Sequence, residues 1–417
     1  MIRFLRFTYL LLLVALVGCS SLAPILSTPT PAPVLEATST PQVTPTSTPP
    51  AQNGPEILRV WLPPQFDPSA ETASAGLLNQ RLRDFETEHP GLTIEVRIKT
   101  DTVDFLSTTN RAAPASMPDV VALSYDQLQT AAAAGLLHPL DGLTDILQDP
   151  DWYVFAHELS SVQNADYGFP FAADAQLIVY RTSVFETPPS SWESIIDSGA
   201  QLTFDASDEQ QYFPLSLYIS AGGQFSSEEG GFALDEDALV RTLSFYQQAY
   251  EAGVIPVNIR DFQTDVEALN NYRNGETDIA VVWASSDLGV NSGGYTPLLG
   301  LDDVHYSVGN GWVWALAGSN AEKQPMAIEL ASSLIESDYM SEWTYASNYL
   351  PTRPLAVAGW EDDVVKNAID DVLLAAHPVP TPEVVSIFGP IMQGALVRIF
   401  NGDQAEVVAR SVVESLK

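Results

Sequence analysis

Apolar positions along residues 57–416 alternate between two spacings, and each spacing predicts an element. Ile57 to Leu62 is a short apolar run that Pro63-Pro64 stops, a strand by length and punctuation. In AGLLNQRLRDFETEHPG the residues Leu78, Leu82 and Phe85 fall on one helical face, and Pro90-Gly91 ends that helix. Leu92, Ile94, Val96 and Ile98 then alternate strictly, predicting a strand with one buried face. PDVVALSYDQLQTAAAAG reads as strand, loop and helix. AADAQLIVYR is a further strand, PPSSWESIID starts a helix, and 212–223 is a helix stopped by two glycines. Amphipathic helices follow over 235–252, with Leu239, Leu243 and Tyr246, and over 265–273, with Val266, Leu269 and Tyr272. Ile279 to Trp283 is a strand. Gly309 and Gly311 predict a tight turn before Trp312 and Trp314, which alternation points to one side of a strand. Residues 325–336 and 403–416 are helical. Strand–helix–strand–helix order predicts α/β architecture with mostly parallel pairing, and no short internal repeat suggests a solenoid.

The first residues follow a different pattern. Arg3 and Arg6 precede an almost unbroken apolar stretch from Thr8 to Val17, an export signal too short for a confident membrane span. It ends in Leu16-Val17-Gly18-Cys19, and Cys19 is the only cysteine of the chain. This resembles the bacterial lipoprotein box, which implies cleavage over 1–18 and a lipid on Cys19. An uncleaved anchor and an ordinary signal with a chance cysteine are the alternatives. Residues 20–55 hold nine prolines, many Ser and Thr, and one charged residue, Glu36. Such a segment cannot build a core. As an extended tether over 19–55 it would reach on the order of 100 Å at about 3.1 Å per residue.

Composition narrows the partners. Acidic residues number 53 against 18 basic ones, a formal charge of −35. That excludes nucleic acid, whose phosphates need concentrated Lys and Arg, and disfavours anionic ligands. A single cysteine excludes a disulfide core and a cysteine-rich metal site, and five scattered histidines show no ligand spacing, so neither a metal nor a cofactor is expected. There is no Gly-x-Ser-x-Gly elbow, His-Glu-x-x-His, P-loop or dinucleotide fingerprint. Carboxylate pairs for a secreted glycosidase are everywhere among so many acids and therefore carry no information. Binding without chemistry is the simpler account.

Several segments, in order, carry a resemblance: FETEHPGLTIEVRIK at 85–99, PDVVALSYDQLQTAAAAGLLHPLD at 118–141, GFPFAADAQLIVYR at 168–181, PPSSWESI at 188–195, NGETDIAVVWAS at 274–285 and SNYLPTR at 347–353. Together they resemble extracellular solute-binding proteins of ABC importers, above all the sugar-binding subgroup that includes the maltose-binding proteins. The resemblance implies a two-lobed, periplasmic-binding-protein-like α/β fold of type II. Each lobe would be a sheet flanked by helices, 56–170 plus 317–370 and 171–316 plus 371–417, joined by a hinge that the chain crosses three times. It also implies a monomer that closes on its ligand and presents it to the permease subunits in the membrane.

Sugars offer C–H patches to aromatic rings and hydroxyls to short polar side chains, since a buried unpaired hydroxyl is costly. Strand ends that combine both are therefore the candidates. Trp283 and Ser285 end one strand, although the maltose-binding pattern carries its aromatic nearer Ser285. Tyr125 and Asp126 end another, where Asp126 or Ser124 would serve equally as a helix cap. Phe171 and Asp174 lie in the first crossover, and Asp174 could instead be a hinge cap. Tyr212 aligns roughly with a sugar-stacking tyrosine of the maltose binders. Trp312, with Trp314 behind it, Tyr345, Asn348 and Arg353 complete the set, Arg353 being equally suited to a structural ion pair. Gln65 or Asp67 could add contacts past Pro63-Pro64. The expected ligand is a mono- or oligosaccharide. A polyamine, drawn by the negative field, is the chief alternative, and a sensor or adhesin on the same scaffold remains open.

Overall fold

The computed structural model describes residues 56–226, 231–302 and 304–416. The export signal, Cys19 and the tether lie outside the described residues. Eleven strands occur among those described. The first three, β1 (Glu56–Leu62), β2 (Leu92–Ile98) and β3 (Val120–Ser124), pair in parallel with β1 in the middle. A small hairpin, β4 (Ser161–Val162) with β5 (Ala165–Asp166), precedes the 13-residue strand β6 (Gly168–Tyr180). Then come β7 (Leu202–Thr203), β8 (Ile279–Trp283), β9 (Gly294–Pro297), β10 (Ser307–Leu316) and β11 (Ala376–Pro378).

Strand β6 is shared between two halves of the protein. Residues 168–175 pair antiparallel with β10, which in turn pairs with β3. Residues 176–180 pair antiparallel with β8 and β9. Pairing is thus mixed rather than mostly parallel. It is parallel within each half, as for β1 with β2 and β3 and for β7 with β8. It turns antiparallel where β6 and β10 pass between the halves. The first half packs Leu58, Val60, Leu62, Phe169 and Trp314 against Leu330, Leu334 and Trp343. The second packs Ile178, Trp192, Phe213, Leu243, Phe388 and Leu396. Leu177 and Val179, on the opposite face of β6, join Val282, Ile369 and Val372. Both faces of β6 are therefore covered, which is why LIVY is continuously apolar instead of alternating. The outcome is a two-lobed α/β fold of the periplasmic-binding-protein kind.

Three local expectations need correction, and several helices were not anticipated. No turn forms at Gly309 and Gly311: both lie inside β10. A Cβ at Gly309 would stand 2.6 Å from the Phe155 ring, and one at Gly311 would stand 2.4 Å from Leu159 Cδ1 and 2.7 Å from the Ala172 carbonyl oxygen. The glycines let the helix Val154–Ser160 lie close against the strand. No loop separates β3 from the helix Tyr125–Ala133, because Ser124 ends the strand and caps the helix in a reciprocal pair with Gln127. Strand β2 lies at the sheet edge, so its alternating face is only partly covered and Ile98 remains 37% exposed. Helices Thr102–Ala112, Ser337–Ser347, Asp363–Leu374 and Pro382–Phe400 went unforeseen. The last contains Pro390, a residue that normally signals a helix end.

Candidate functional site

Where β6 and β10 pass between the halves, the ends of β3 and β8 meet them in a cleft of about 370 Å³. Its floor is Asp174 of β6 opposite Asn310 of β10, with Gly311 beside them. Strand β8 ends at Trp283, and the chain turns at once into the short helix Ala284–Asp287. Two carboxylates from separate elements hold that turn. Asp174 accepts hydrogen bonds from the Ser285 amide (3.1 Å) and from the Ser285 hydroxyl. Asp265, which opens the helix Asp265–Arg273, accepts from the Trp283 amide (3.3 Å) and the Ser286 hydroxyl (2.6 Å). Behind them the fully buried Asp287 pairs with Arg273 at 2.5 Å and accepts from Ser292 Oγ and the Tyr295 hydroxyl. The polar end of β8 is therefore rigidly mounted.

Aromatic rings form the other walls. Tyr212, first residue of the helix Tyr212–Ser220, meets Trp283 edge to face, with centroids 5.6 Å apart and planes at 88°. Its hydroxyl accepts from Gln210 Nε2 at 3.1 Å. The left-handed backbone of Gln211 (φ 53°) turns the chain into this helix. Trp312 and Tyr349 both rest edge-on against Phe66, at 5.0 and 5.7 Å. Phe66 is buried on the helical turn that Pro63-Pro64 starts, so that turn supports the site from behind.

Electrostatics are one-sided. Asp126, Asp174 and Asp265 line the cleft, and among the described residues no lysine, arginine or histidine does. Burial, with the neighbouring Asp265 charge, pushes the Asp174 carboxyl up to about 7 against the Ser285 hydrogen bonds. Burial also raises Asp126. Burial and the Asp126 and Asp208 charges keep the Tyr212 phenol protonated far above its usual range. Nearby Asp205 is pushed up to about 7 by burial and by Asp208 and Asp265.

Six of the residues singled out in the sequence meet in this cleft: Asp126, Asp174, Tyr212, Trp283, Ser285 and Trp312. The others do not. Tyr125 is buried in the core beside Tyr153 and Phe155, since it neighbours Asp126 on a helix and faces another way. Phe171 is buried and stacks on Trp314 at 4.3 Å, backing Phe66. Tyr345 is 64% exposed and edges onto Trp360 beside a separate pocket of about 160 Å³ that Asn348 also lines. Arg353 takes the structural role: it pairs with Asp149 (2.8 Å) and Asp151 (2.9 Å) and covers the Trp152 ring. Gln65 and Asp67 are not on the lining either. Gln210, Asp265, Ser286, Asn310, Gly311 and Tyr349 join the cleft unforeseen. Tyr349 lay within a motif already quoted, Ser286 lay one residue past another, and Asp265 showed only as a helix start. Asn310 was hidden by the misread glycine turn.

Solved structures share this fold at low identity. Maltose-bound MalE3 of T. maritima superposes with a TM-score of 0.62 at 19% identity, covering 86% of this chain and 98% of that one. MalE of Listeria monocytogenes in complex with maltose gives 0.69 at 14%, covering 87% and 97%. An ABC transporter solute-binding protein of Thermotoga lettingae bound with α-D-tagatose gives 0.61 at 19%, covering 87% and 98%. No curated protein matches by sequence. Residues 80–370, about seven-tenths of the chain, match the family model described as bacterial extracellular solute-binding protein. With that match and this cleft between two lobes, the chain belongs to the bacterial extracellular solute-binding proteins, a family that binds rather than catalyses.

Proposed function

We propose that the protein captures a carbohydrate in the cleft between its lobes and delivers it to the permease subunits of an ABC importer. The first lobe is assigned to 56–170 with 317–370 and the second to 171–316 with 371–417, apart from the shared strands β6 and β10, whose residues 168–175 and 312–316 pair within the first half. The observation that carries this reading is the pairing of ring faces with short polar groups in one cavity. Trp283, Tyr212, Trp312 and Tyr349 offer stacking surfaces, and Asp126, Gln210, Asn310 and Ser285 offer hydroxyl partners. The structural relatives named above were solved with maltose or tagatose. Strands β6 and β10 supply a hinge, and closure about such strands is an ordinary domain motion.

A lipid on Cys19 and the proline-rich segment 19–55 would keep the binding lobes at the membrane yet free to move. Radiolabelled palmitate incorporation, absent in C19S, tests the anchor; incorporation that survives C19S refutes it. Binding is tested by titrating the purified chain with mono- and oligosaccharides while following tryptophan fluorescence and melting temperature. A saturable shift with one sugar class, accompanied by a rise in melting temperature, supports the reading. Silence across all sugars refutes it. A polyamine is the second reading, favoured by three carboxylates on a cleft wall without a cation. Spermidine therefore belongs in the same panel.

A further inference from the structure

Among the described residues lining the cleft the formal charge is all negative, yet its three carboxylates are not equivalent. Asp174 and Asp265 are already used within the second lobe, where they hold Ser285, Ser286 and the Trp283 amide. Asp126 is different. Its side chain lines the cleft, and its Oδ1 is buried with no hydrogen-bond partner among the described residues. An unpartnered buried carboxylate oxygen costs more than a kcal/mol or so, and no side chain in the cleft supplies the missing donor.

Asp126 also lines a second cavity of about 360 Å³, which adds Asp101 and Asp104 and has no lysine, arginine or histidine among its described lining residues. The adjacent ammonium of Lys99 lies over the rings of Trp61 (4.8 Å) and Phe105 (4.2 Å) and is engaged there. The rings of Tyr212, Trp283, Trp312 and Tyr349 line the same cleft as Asp126. Unpaired carboxylate beside several aromatic rings is the environment that stabilises an ammonium group, which donates to the carboxylate and is attracted to the rings. A sugar hydroxyl would fill the donor vacancy at Oδ1 but leave the negative charge of the two cavities uncompensated.

We infer that the cleft is built for an amine-bearing carbohydrate, an amino sugar whose free ammonium group docks on Asp126. This deepens the carbohydrate reading above and rests on it. The ring faces take the C–H patches of the sugar, Asp126 takes the ammonium, and Asp101 and Asp104 favour a second charged unit in the adjoining cavity.

Matched pairs test it. Glucosamine differs from glucose, and fully deacetylated chitotriose from cellotriose, by an ammonium in place of a hydroxyl on each unit. The purified chain is titrated with both pairs, with maltotriose and with spermidine, at low and high salt. The amine member of a pair is expected to bind about tenfold tighter or more. That ratio should shrink with added salt and approach one in D126N. The salt series gives the same answer on the unaltered chain if D126N does not fold. Equal affinity within the pairs, tighter binding of the neutral member, or a ratio that survives D126N overturns the charge inference while leaving the carbohydrate reading intact. Binding of spermidine with silence toward every sugar overturns both.

Discussion

Removing the charge of Asp174 without changing its shape should make stability less dependent on pH. The carboxyl is pushed from the usual 3.8 up to about 7, mainly by burial. A carboxyl raised on folding contributes stability that is complete below its unfolded value, near pH 4, and is lost as pH rises through about 7. The shift corresponds to about 4 kcal/mol at 1.36 kcal/mol per unit of pKa. Water at the cleft edge of the carboxyl screens part of this, so about 2 kcal/mol is the working figure. Asp174→Asn keeps an acceptor for the Ser285 amide at 3.1 Å and does not titrate. Near pH 4.5 the variant should match the parent or be up to about 1 kcal/mol weaker, having replaced one hydrogen bond. By pH 8 it should be about 2 kcal/mol more stable relative to that starting difference. Asp205 titrates in both proteins and cancels. Urea unfolding at pH 4.5, 5.5, 6.5 and 7.5 reads the difference directly. A difference that stays flat over this range, or grows toward acid, refutes the reasoning that Asp174 is held in its uncharged form by burial.

Three further outcomes follow from the geometry. W283A should weaken ligand binding by about 2 kcal/mol, roughly thirtyfold, as truncation of a central aromatic contact does, read by titration with the best sugar of the panel. D287A should cost about 3–5 kcal/mol of stability in urea melts, because it leaves Arg273 half-buried without its partner; a loss under 1 kcal/mol would show the pair to be dispensable. G311A should destabilise by about 1–3 kcal/mol through overpacking, since its Cβ would meet Leu159 and the Ala172 carbonyl at 2.4 and 2.7 Å.

The element pattern was legible wherever burial was one-sided. Leu78, Leu82 and Phe85 report a helix because only one face meets the core, and Leu239, Leu243 and Tyr246 do the same. It was misleading wherever packing, rather than the local chain, selects the residue. Gly309 and Gly311 read as a turn because glycine favours turns, but here the constraint is a helix lying against the strand, a contact between residues over 150 positions apart. The helix Pro382–Phe400 went unseen, and Pro390 is accommodated inside it. The site divides along the same line. Asp174 and Trp283 sit on strands that the quoted motifs covered, and Trp312 on one that alternation marked. Asp265 and Gln210 reach the cleft from a helix start and a loop that no periodicity marks. Tyr125 and Phe171 were drawn in by their neighbours, and one residue of register put them in the core.

The same two strands carry the core and the site, and this ties binding to motion. Along β6 the run Phe169 to Phe171 packs in the first lobe, Leu177 to Tyr180 packs in the second, and Asp174 lies between them. Ala173, just before it, bridges Leu350, the start of the last segment that supplies Tyr349 to the cleft. A polar residue between the two packed runs avoids burying apolar surface that would resist the proposed opening, and the Asp174 carboxylate also holds Ser285 at the end of β8. Any rotation of the second lobe about β6 therefore keeps Asp174, Ser285 and Trp283 together as one unit. It moves them against Asp126, Trp312 and Tyr349 of the first lobe. If the lobes close as proposed, closure would change the distance across the cleft and leave the polar anchor of each wall intact, so a ligand bridging Asp126 and Trp283 would select the closed arrangement through contacts that only that arrangement brings within reach.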